Sequence, residues 1–156
     1  VVMYQKILVP VDGSPTASRG LQEAIKLARL TGGRLRLMHV VDEISFASGM
    51  EAATMATGEM LQLLREGGAL LLKKAAARVE KAGLGVDTVL CDSIAGRVCD
   101  HVVEQVHAWR ADLLVLGTHG RRGVGRLLMG SDAEMIVRLA SVPVLLVRSK
   151  EARAAA

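Results

Sequence analysis

The residues with the strongest chemical signal lie in one loop near the carboxyl end of the chain. Gly117 and Gly120 are followed by Gly130 and Ser131, in the spacing Gly-x2-Gly-x9-Gly-Ser. Glycines let backbone N–H groups approach an anion, and a helix that begins near Ser131 would offer unpaired N–H groups of its own. Three basic side chains in the same loop add positive charge: Arg121, Arg122 and Arg126. The loop has the composition of a phosphate cradle.

Three better-known phosphate motifs do not fit this chain. The spacing from Gly125 to Ser131 resembles part of a P-loop, but no lysine precedes the serine. A Gly-x-Gly-x-x-Gly fingerprint is absent after the first apolar run, which argues against a dinucleotide site. A phosphoacceptor receiver would need an acidic pair where the chain has Asp12 alone, and a lysine where it has Arg148.

Composition limits the other functions. Tyr4, Phe46 and Trp109 are the only aromatic residues among 156, so few side chains could stack nucleic-acid bases. The net charge of +4 is modest and spread along the chain, so we expect no nucleic-acid partner. Cys91 and Cys99 form no CxxC pair and the histidines lack metal-ligand spacing, so we predict two buried thiols and no metal site.

Five short apolar runs separated by helical patterns must position the cradle. The runs are of strand length and several are apolar at successive positions, which is typical of strands covered on both faces: Lys6 to Val11, Leu35 to Val41, Val86 to Cys91, Leu113 to Leu116 and Val144 to Val147. Alternation with helices predicts a doubly wound α/β fold, a five-stranded parallel sheet in the order 3-2-1-4-5 with helices on both faces.

The segments between the apolar runs contain residues that are typical of helices and their ends. Ser14 and Pro15 are typical of an N-cap and a first helical position. A second helix is predicted from about Glu59 to Ala82, weakened in its middle by Gly67-Gly68, and a capping box is predicted over Ser131 to Glu134. His39 is expected to pack at a strand end.

Ligands of a doubly wound sheet bind beyond the carboxyl ends of its strands, where the strand order reverses. In the order 3-2-1-4-5 this point lies between the first and fourth strands. Asp12 follows the first strand, and the Gly117 loop follows the fourth. Topology thus predicts that the carboxylate and the cradle face each other.

These residues resemble the universal stress protein family over nearly the whole chain. The resemblance is carried by Lys6 to Ser14, by Leu37 to Val41 and by the glycine spacing that ends in Gly130-Ser131. Family members with that spacing bind ATP. The resemblance therefore implies an ATP-binding stress-response sensor or regulator, with ADP or AMP as alternative ligands. Mg²⁺ could bind together with the phosphates.

The same resemblance implies the residue roles. Asp12 would accept hydrogen bonds from the ribose hydroxyls, while Pro10, Val11 and Val40 would frame the adenine with backbone groups. The remaining site residues would surround the phosphates: Gly117, Thr118, His119, Gly120, Arg121, Gly130 and Ser131.

Asp132 departs from the pattern, because many nucleotide-binding relatives have an apolar residue after the Gly-Ser pair. Its carboxylate either complements the helix dipole or repels a phosphate tail. The choice between ATP, ADP and AMP therefore stays open.

Two rival functions remain at this stage. One is a nucleotide-independent interaction module with an unknown protein partner. The other is a slow Mg²⁺-dependent ATPase or autokinase acting through Ser131. No Ser-His-Asp or paired-carboxylate arrangement can be assembled from the strand ends, so we expect no dedicated enzyme and assign no catalytic residue.

The sequence also predicts the chain's organisation and setting. Residues 1–150 are expected to form one nucleotide-binding domain, with a short disordered tail over 151–156. Pro143 places the Val142–Val147 strand at a sheet edge, where we expect a homodimer interface. No apolar run approaches the ~20 residues needed to cross a bilayer, and no signal peptide is evident, so we expect a cytoplasmic protein without a membrane partner.

Overall fold

The computed structural model describes residues 2–42, 58–92, 96–118 and 129–148. Within these ranges, five strands alternate with four helices. In order they are β1 Lys6–Pro10, α1 Pro15–Thr31, β2 Arg34–Val41, α2 Gly58–Lys81, β3 Val86–Asp92, α3 Val98–Trp109, β4 Leu113–Gly117, α4 Ser131–Leu139 and β5 Val144–Val147. The predicted 151–156 tail lies outside the described residues.

The strands form one parallel sheet in the order β3-β2-β1-β4-β5, which confirms the predicted topology. β1 is central, and Ile7 pairs with Leu35 of β2 on one side and with Leu113 of β4 on the other. Because β1 and β4 are adjacent but far apart in the chain, the strand order reverses between them.

Both faces of the sheet are covered by helices, so the core has two halves. α1 and α2 pack on one face around residues such as Val9, Leu37 and Val115. α3 and α4 pack on the other face around Leu8, Met38 and Leu114. Successive residues of β1 are buried on opposite faces, which explains its unbroken apolar run.

The first helix begins as the sequence predicts. The Ser14 hydroxyl accepts a hydrogen bond from the Ala17 backbone N–H at 3.1 Å, and Pro15 is the first helical residue. The helix ends at Gly32, whose φ of 70° is a left-handed conformation that glycine adopts without strain.

The structure confirms one further helix prediction, the long second helix, and corrects another. α2 continues through Gly67 and Gly68, and a Cβ on Gly68 would come within 2.7 Å of the His39 ring, so this glycine permits close packing of the helix on the sheet. α4 has Gly130 as its N-cap and Ser131 as its first helical residue, with no side-chain capping hydrogen bond. The predicted capping box is therefore wrong, because the helix begins one residue earlier than that motif requires.

The two cysteines differ in burial. Cys99 is buried as predicted, but Cys91 is only half-buried because β3 is an edge strand, which corrects that prediction. Burial raises the pKa of the Cys91 thiol, and the Glu104 and Asp92 carboxylates raise it further. Burial also raises the pKa of Cys99, with a second contribution from Asp100. Raised pKa values keep both thiols protonated at neutral pH and poorly nucleophilic.

Polar contacts close the amino-terminal edge of the sheet, opposite the predicted site. The Asp112 carboxylate accepts hydrogen bonds from the backbone N–H groups of Gln5 at 2.8 Å and Lys6 at 2.9 Å. The Arg36 guanidinium lies 4.9 Å from the Trp109 ring centroid and pairs with Asp87 at 2.6 Å. These contacts fix the positions of β1, β2, β3 and α3 relative to one another, at the edge of the sheet where no ligand is expected.

Candidate functional site

The carboxyl ends of β1, β2 and β4 meet at one edge of the sheet, together with the start of α4. β1 ends at Pro10, β2 at Val41 and β4 at Gly117. The Gly130 N–H donates to the Thr118 carbonyl oxygen at 3.0 Å, which joins the end of β4 to the residue that caps α4. The helix N-terminus therefore lies at the point where the strand order reverses.

A cavity of about 550 Å³ opens at this edge. Its volume falls within the ~300–1,000 Å³ of typical small-molecule sites. The walls come from the ends of β1, β2 and β4, from the first turns of α1, α3 and α4, and from the first half of α2.

Seven of the predicted site residues line this cavity. They are Pro10, Val11, Asp12, Val40, Gly117, Ser131 and Asp132. Thr118 and Gly130 lie beside it without lining it, and they instead join β4 to α4 through the hydrogen bond between them. His119, Gly120 and Arg121 lie outside the described residues.

Asp12 is held at the rim of the cavity by the turn that follows β1. One of its carboxylate oxygens, Oδ1, accepts the Ser14 backbone N–H at 2.8 Å. Ser14 in turn caps α1, so the position of the carboxylate is tied to the start of that helix. The side chain is half-buried, and it presents an anionic acceptor at the cavity.

Gly117 has a packing role that the sequence did not reveal. A Cβ at this position would come within 2.7 Å of the Thr16 carbonyl carbon and 2.8 Å of the Ala17 nitrogen. Only glycine lets the first turn of α1 approach β4 so closely. Gly117 therefore shapes the cavity wall by bringing these two elements together, in addition to any contact with a ligand.

His39 was not predicted as a site residue, yet it lines the cavity and is buried. Its Nδ1 lies 2.7 Å from the Val11 carbonyl oxygen, and the Val11 N–H donates to the Met38 carbonyl oxygen at 2.8 Å. With Nδ1 protonated, the ring donates to Val11 and links the end of β1 to β2. The strand-end position of His39 was visible in the sequence, but its partner was not.

The contribution of α2 was also missed. Leu63, Leu64, Gly67 and Gly68 line the cavity from this helix. The signal in the sequence was the glycine pair inside the helix, because a glycine in a helix interior often has a packing reason, as Gly68 has here. It was interpreted as a helix-weakening feature instead.

The start of α3 adds a charged rim near the cavity residue Val98. Asp100 accepts a hydrogen bond from the Arg97 backbone N–H at 3.0 Å and another from the Arg97 side chain. The backbone hydrogen bond is the largest cause of the lowered pKa of Asp100, followed by the side-chain hydrogen bond. The carboxylate is therefore ionised throughout the physiological range.

No cluster of three or more His, Cys, Asp or Glu residues within the described ranges is arranged to hold a metal ion. The helices that the structure describes include none with the length and apolarity needed to cross a bilayer.

The fold and its cavity define a doubly wound α/β protein with a ligand-sized site at the switch point. A family model for the universal stress protein family matches residues 3–148. The chain belongs to the universal stress protein family.

Individual relatives agree with this assignment. The chain is 33% identical to universal stress protein MJ0531 of Methanocaldococcus jannaschii over 94% of its own length and 83% of that protein. Among solved structures, MJ0577 of the same organism matches with a TM-score of 0.81 at 28% identity, covering 96% of this chain and 99% of that one.

Two solved relatives contain nucleotides. A universal stress protein in complex with cAMP matches with a TM-score of 0.63 at 23% identity, over 94% of this chain and 98% of that one. The Archaeoglobus fulgidus protein in complex with dAMP has the same TM-score at 22% identity, over 93% and 98%. At these identities the likeness establishes the shared fold.

Proposed function

We propose that this protein binds an adenine nucleotide in the switch-point cavity and acts as a nucleotide-dependent sensor or regulator of the stress response. The observation that carries the proposal is the 550 Å³ cavity, which brings Asp12, the ends of β1 and β2, and the start of α4 together. Residues 1–150 would form the nucleotide-binding domain. The cAMP and dAMP complexes of two family members support an adenine nucleotide as the ligand class.

The adenine would lie against Pro10, Val11 and Val40. An aromatic shelf is unnecessary there, because apolar side chains and backbone polar groups can both cover and read a base. His39 would act as a positioning residue, since its ring bonds the Val11 carbonyl and so sets the geometry of the wall that the adenine meets.

The ribose and phosphates would extend from Asp12 toward α4. The Asp12 carboxylate would accept hydrogen bonds from the ribose hydroxyls. The phosphates would lie near the first N–H groups of α4, whose dipole favours anions, and near Gly117, Thr118, His119, Gly120, Arg121, Gly130 and Ser131. Mg²⁺ would enter with the phosphates of ATP, which supply oxygen ligands of the kind that this ion prefers.

The Asp12→Asn variant tests this assignment. Asparagine keeps an oxygen that can accept the Ser14 N–H but lacks the negative charge that strengthens hydrogen bonds from the ribose. We expect the affinity for ATP to fall about tenfold, the usual size of one lost charged hydrogen bond. Calorimetry should show no such fall with 2′,3′-dideoxy-ATP, which has no ribose hydroxyls to lose.

Asp92→Asn is the matched control. Asp92 ends β3 at the same sheet edge but does not line the cavity, and it pairs with Arg65. Its replacement should leave ATP affinity unchanged. Absence of binding of any adenine nucleotide to the wild-type protein at millimolar concentration would overturn the proposed function and favour a nucleotide-independent interaction module.

A further inference from the structure

A second cavity, of about 360 Å³, lies between α1 and α2, on the face of the sheet that these helices cover. We call it the inter-helical cavity. Its walls are mostly apolar, with Ala17 and Leu21 from α1 and Leu70, Leu71 and Ala75 from α2. Val11, Ala17 and Gly67 also line the switch-point cavity, so the two cavities share a wall. None of the described residues that line the inter-helical cavity is acidic.

Two cations one helical turn apart stand on α2 at this cavity. Arg78 donates to the Ser18 hydroxyl at 2.9 Å and to the Ser18 carbonyl oxygen at 3.4 Å, so these two oxygens hold the guanidinium beside α1. Lys74 is exposed, and no ion pair joins it to a carboxylate in the part of the chain that the structure describes. An apolar cavity thus has two positive charges at one side.

The two helices that form this cavity also carry an excess of positive charge. α1 and α2 together carry eight Arg and Lys residues against four Glu. On the opposite face of the sheet, α3 and α4 carry one Arg against four Asp and Glu. The net charge of the helices therefore favours an anion on the α1–α2 face.

We propose that the inter-helical cavity is a second ligand site, which binds a medium-chain fatty acid or a similar straight-chain amphipathic carboxylate. The chain would lie against Leu21, Leu71 and Ala75, and the carboxylate would be bound by Lys74 and Arg78. A volume near the lower end of the range for ligand sites has room for one short chain and excludes a two-chain lipid. This site is separate from the proposed nucleotide function and stands or fails independently of it.

Decanoate is the probe, studied below its micelle concentration by calorimetry and by ligand-observed NMR on the full chain without nucleotide. Lys74→Gln keeps most of the side-chain length and removes the charge, so we expect decanoate to bind about fivefold more weakly, as for the loss of one partly exposed ion pair. Lys73→Gln is the matched control, because Lys73 is the neighbouring exposed lysine and does not line the cavity. It should leave decanoate affinity unchanged.

Two further measurements distinguish a specific carboxylate site from non-specific hydrophobic binding. Decanol has the same chain without the charge, so its weaker binding should be the same in wild type and in Lys74→Gln. Leu70→Glu places a negative charge at a wall position that is 52% exposed and so tolerates the change, and it should abolish decanoate binding. Equal effects of the Lys73 and Lys74 variants, undiminished binding to Leu70→Glu, or no binding to wild type would each overturn the proposal.

Discussion

Asp132 is the residue whose position bears most directly on ligand preference. It lies in the first turn of α4 and lines the switch-point cavity. A carboxylate there favours the helix dipole in the free protein. The same charge opposes an incoming phosphate group, and the opposition grows with the number of phosphates.

We therefore expect Asp132→Asn to raise affinity for ATP more than affinity for AMP, by about fivefold in the ratio of the two. This corresponds to roughly 1 kcal/mol, a reasonable size for a repulsion that solvent partly screens. Calorimetric titration with ATP, ADP and AMP measures the effect, which should diminish as salt is added.

Glu134→Gln serves as the control for this charge. Glu134 is in the same helical turn but pairs with Arg138 at 2.7 Å and does not line the cavity. It should leave the ATP-to-AMP ratio unchanged. A ratio that does not move in Asp132→Asn would mean that the phosphates lie away from α4.

At the scale of elements, the packing of α2 on the sheet depends on one of two neighbouring glycines. Gly67 is exposed, and a Cβ there would meet nothing within 4 Å. Gly68 is buried, and its Cβ would come within 2.7 Å of His39 Cδ2 and 2.8 Å of Leu90 Cδ1. Glycine costs helix formation the same amount at both positions. A side chain would have free space at position 67 but would overlap its neighbours at position 68.

Alanine at each position should consequently shift stability in opposite directions. Gly67→Ala should raise the free energy of unfolding by about 0.5–1 kcal/mol through helix propensity alone. Gly68→Ala should lower it by about 1–3 kcal/mol, because overpacking against His39 and Leu90 outweighs the same propensity gain. Urea denaturation of the two variants measures both values, and equal stabilisation by both would show that α2 does not pack on β2 and β3 as described.

The sequence predicted the elements well but not the contacts between them. The strands were visible as short apolar runs, such as Ile7, Leu8 and Val9, whose lack of alternation is typical of a sheet covered on both faces. The start of α1 was visible because the Ser14-Pro15 signal depends only on residues that are close in sequence. The roles of Gly68, His39 and Asp112 were not visible, because each depends on an atom more than 25 positions away in the chain.

For the candidate site, too, the sequence predicted the elements that form it but not the contacts between them. Topology and the Asp12 turn predicted where the cavity lies, since the carboxyl ends of parallel strands must meet at one edge. The predicted start of α4 was one residue too late, because Ser131 is an equally good N-cap or first-turn residue by type alone. The α2 wall was missed because the first half of that helix comes to the edge only through tertiary packing.

At the scale of the whole molecule, the two edges of the sheet differ. β3 runs for seven residues at one edge, and its half-exposed face is crossed by charged contacts such as Arg65 with Asp92. β5 has four residues, Val-Leu-Leu-Val, at the other edge. The Pro143 and Val147 carbonyl oxygens accept N–H groups from the β4 side, so residues 144 and 146 direct their backbone groups outward. An apolar edge of this kind invites pairing with a second copy.

The β5 edge is therefore where we predict a homodimer interface, and matched lysines test it. Leu146 is 38% exposed on β5 and Leu90 is 37% exposed on β3, so lysine costs each edge a similar apolar area. Leu146→Lys should raise the dimer dissociation constant at least tenfold, because a charge at the seam must be desolvated without a partner. Leu90→Lys should leave that constant unchanged. Sedimentation equilibrium over a range of concentrations measures both, and a monomeric wild type, or dimer loss in the Leu90 variant alone, would move the interface away from β5.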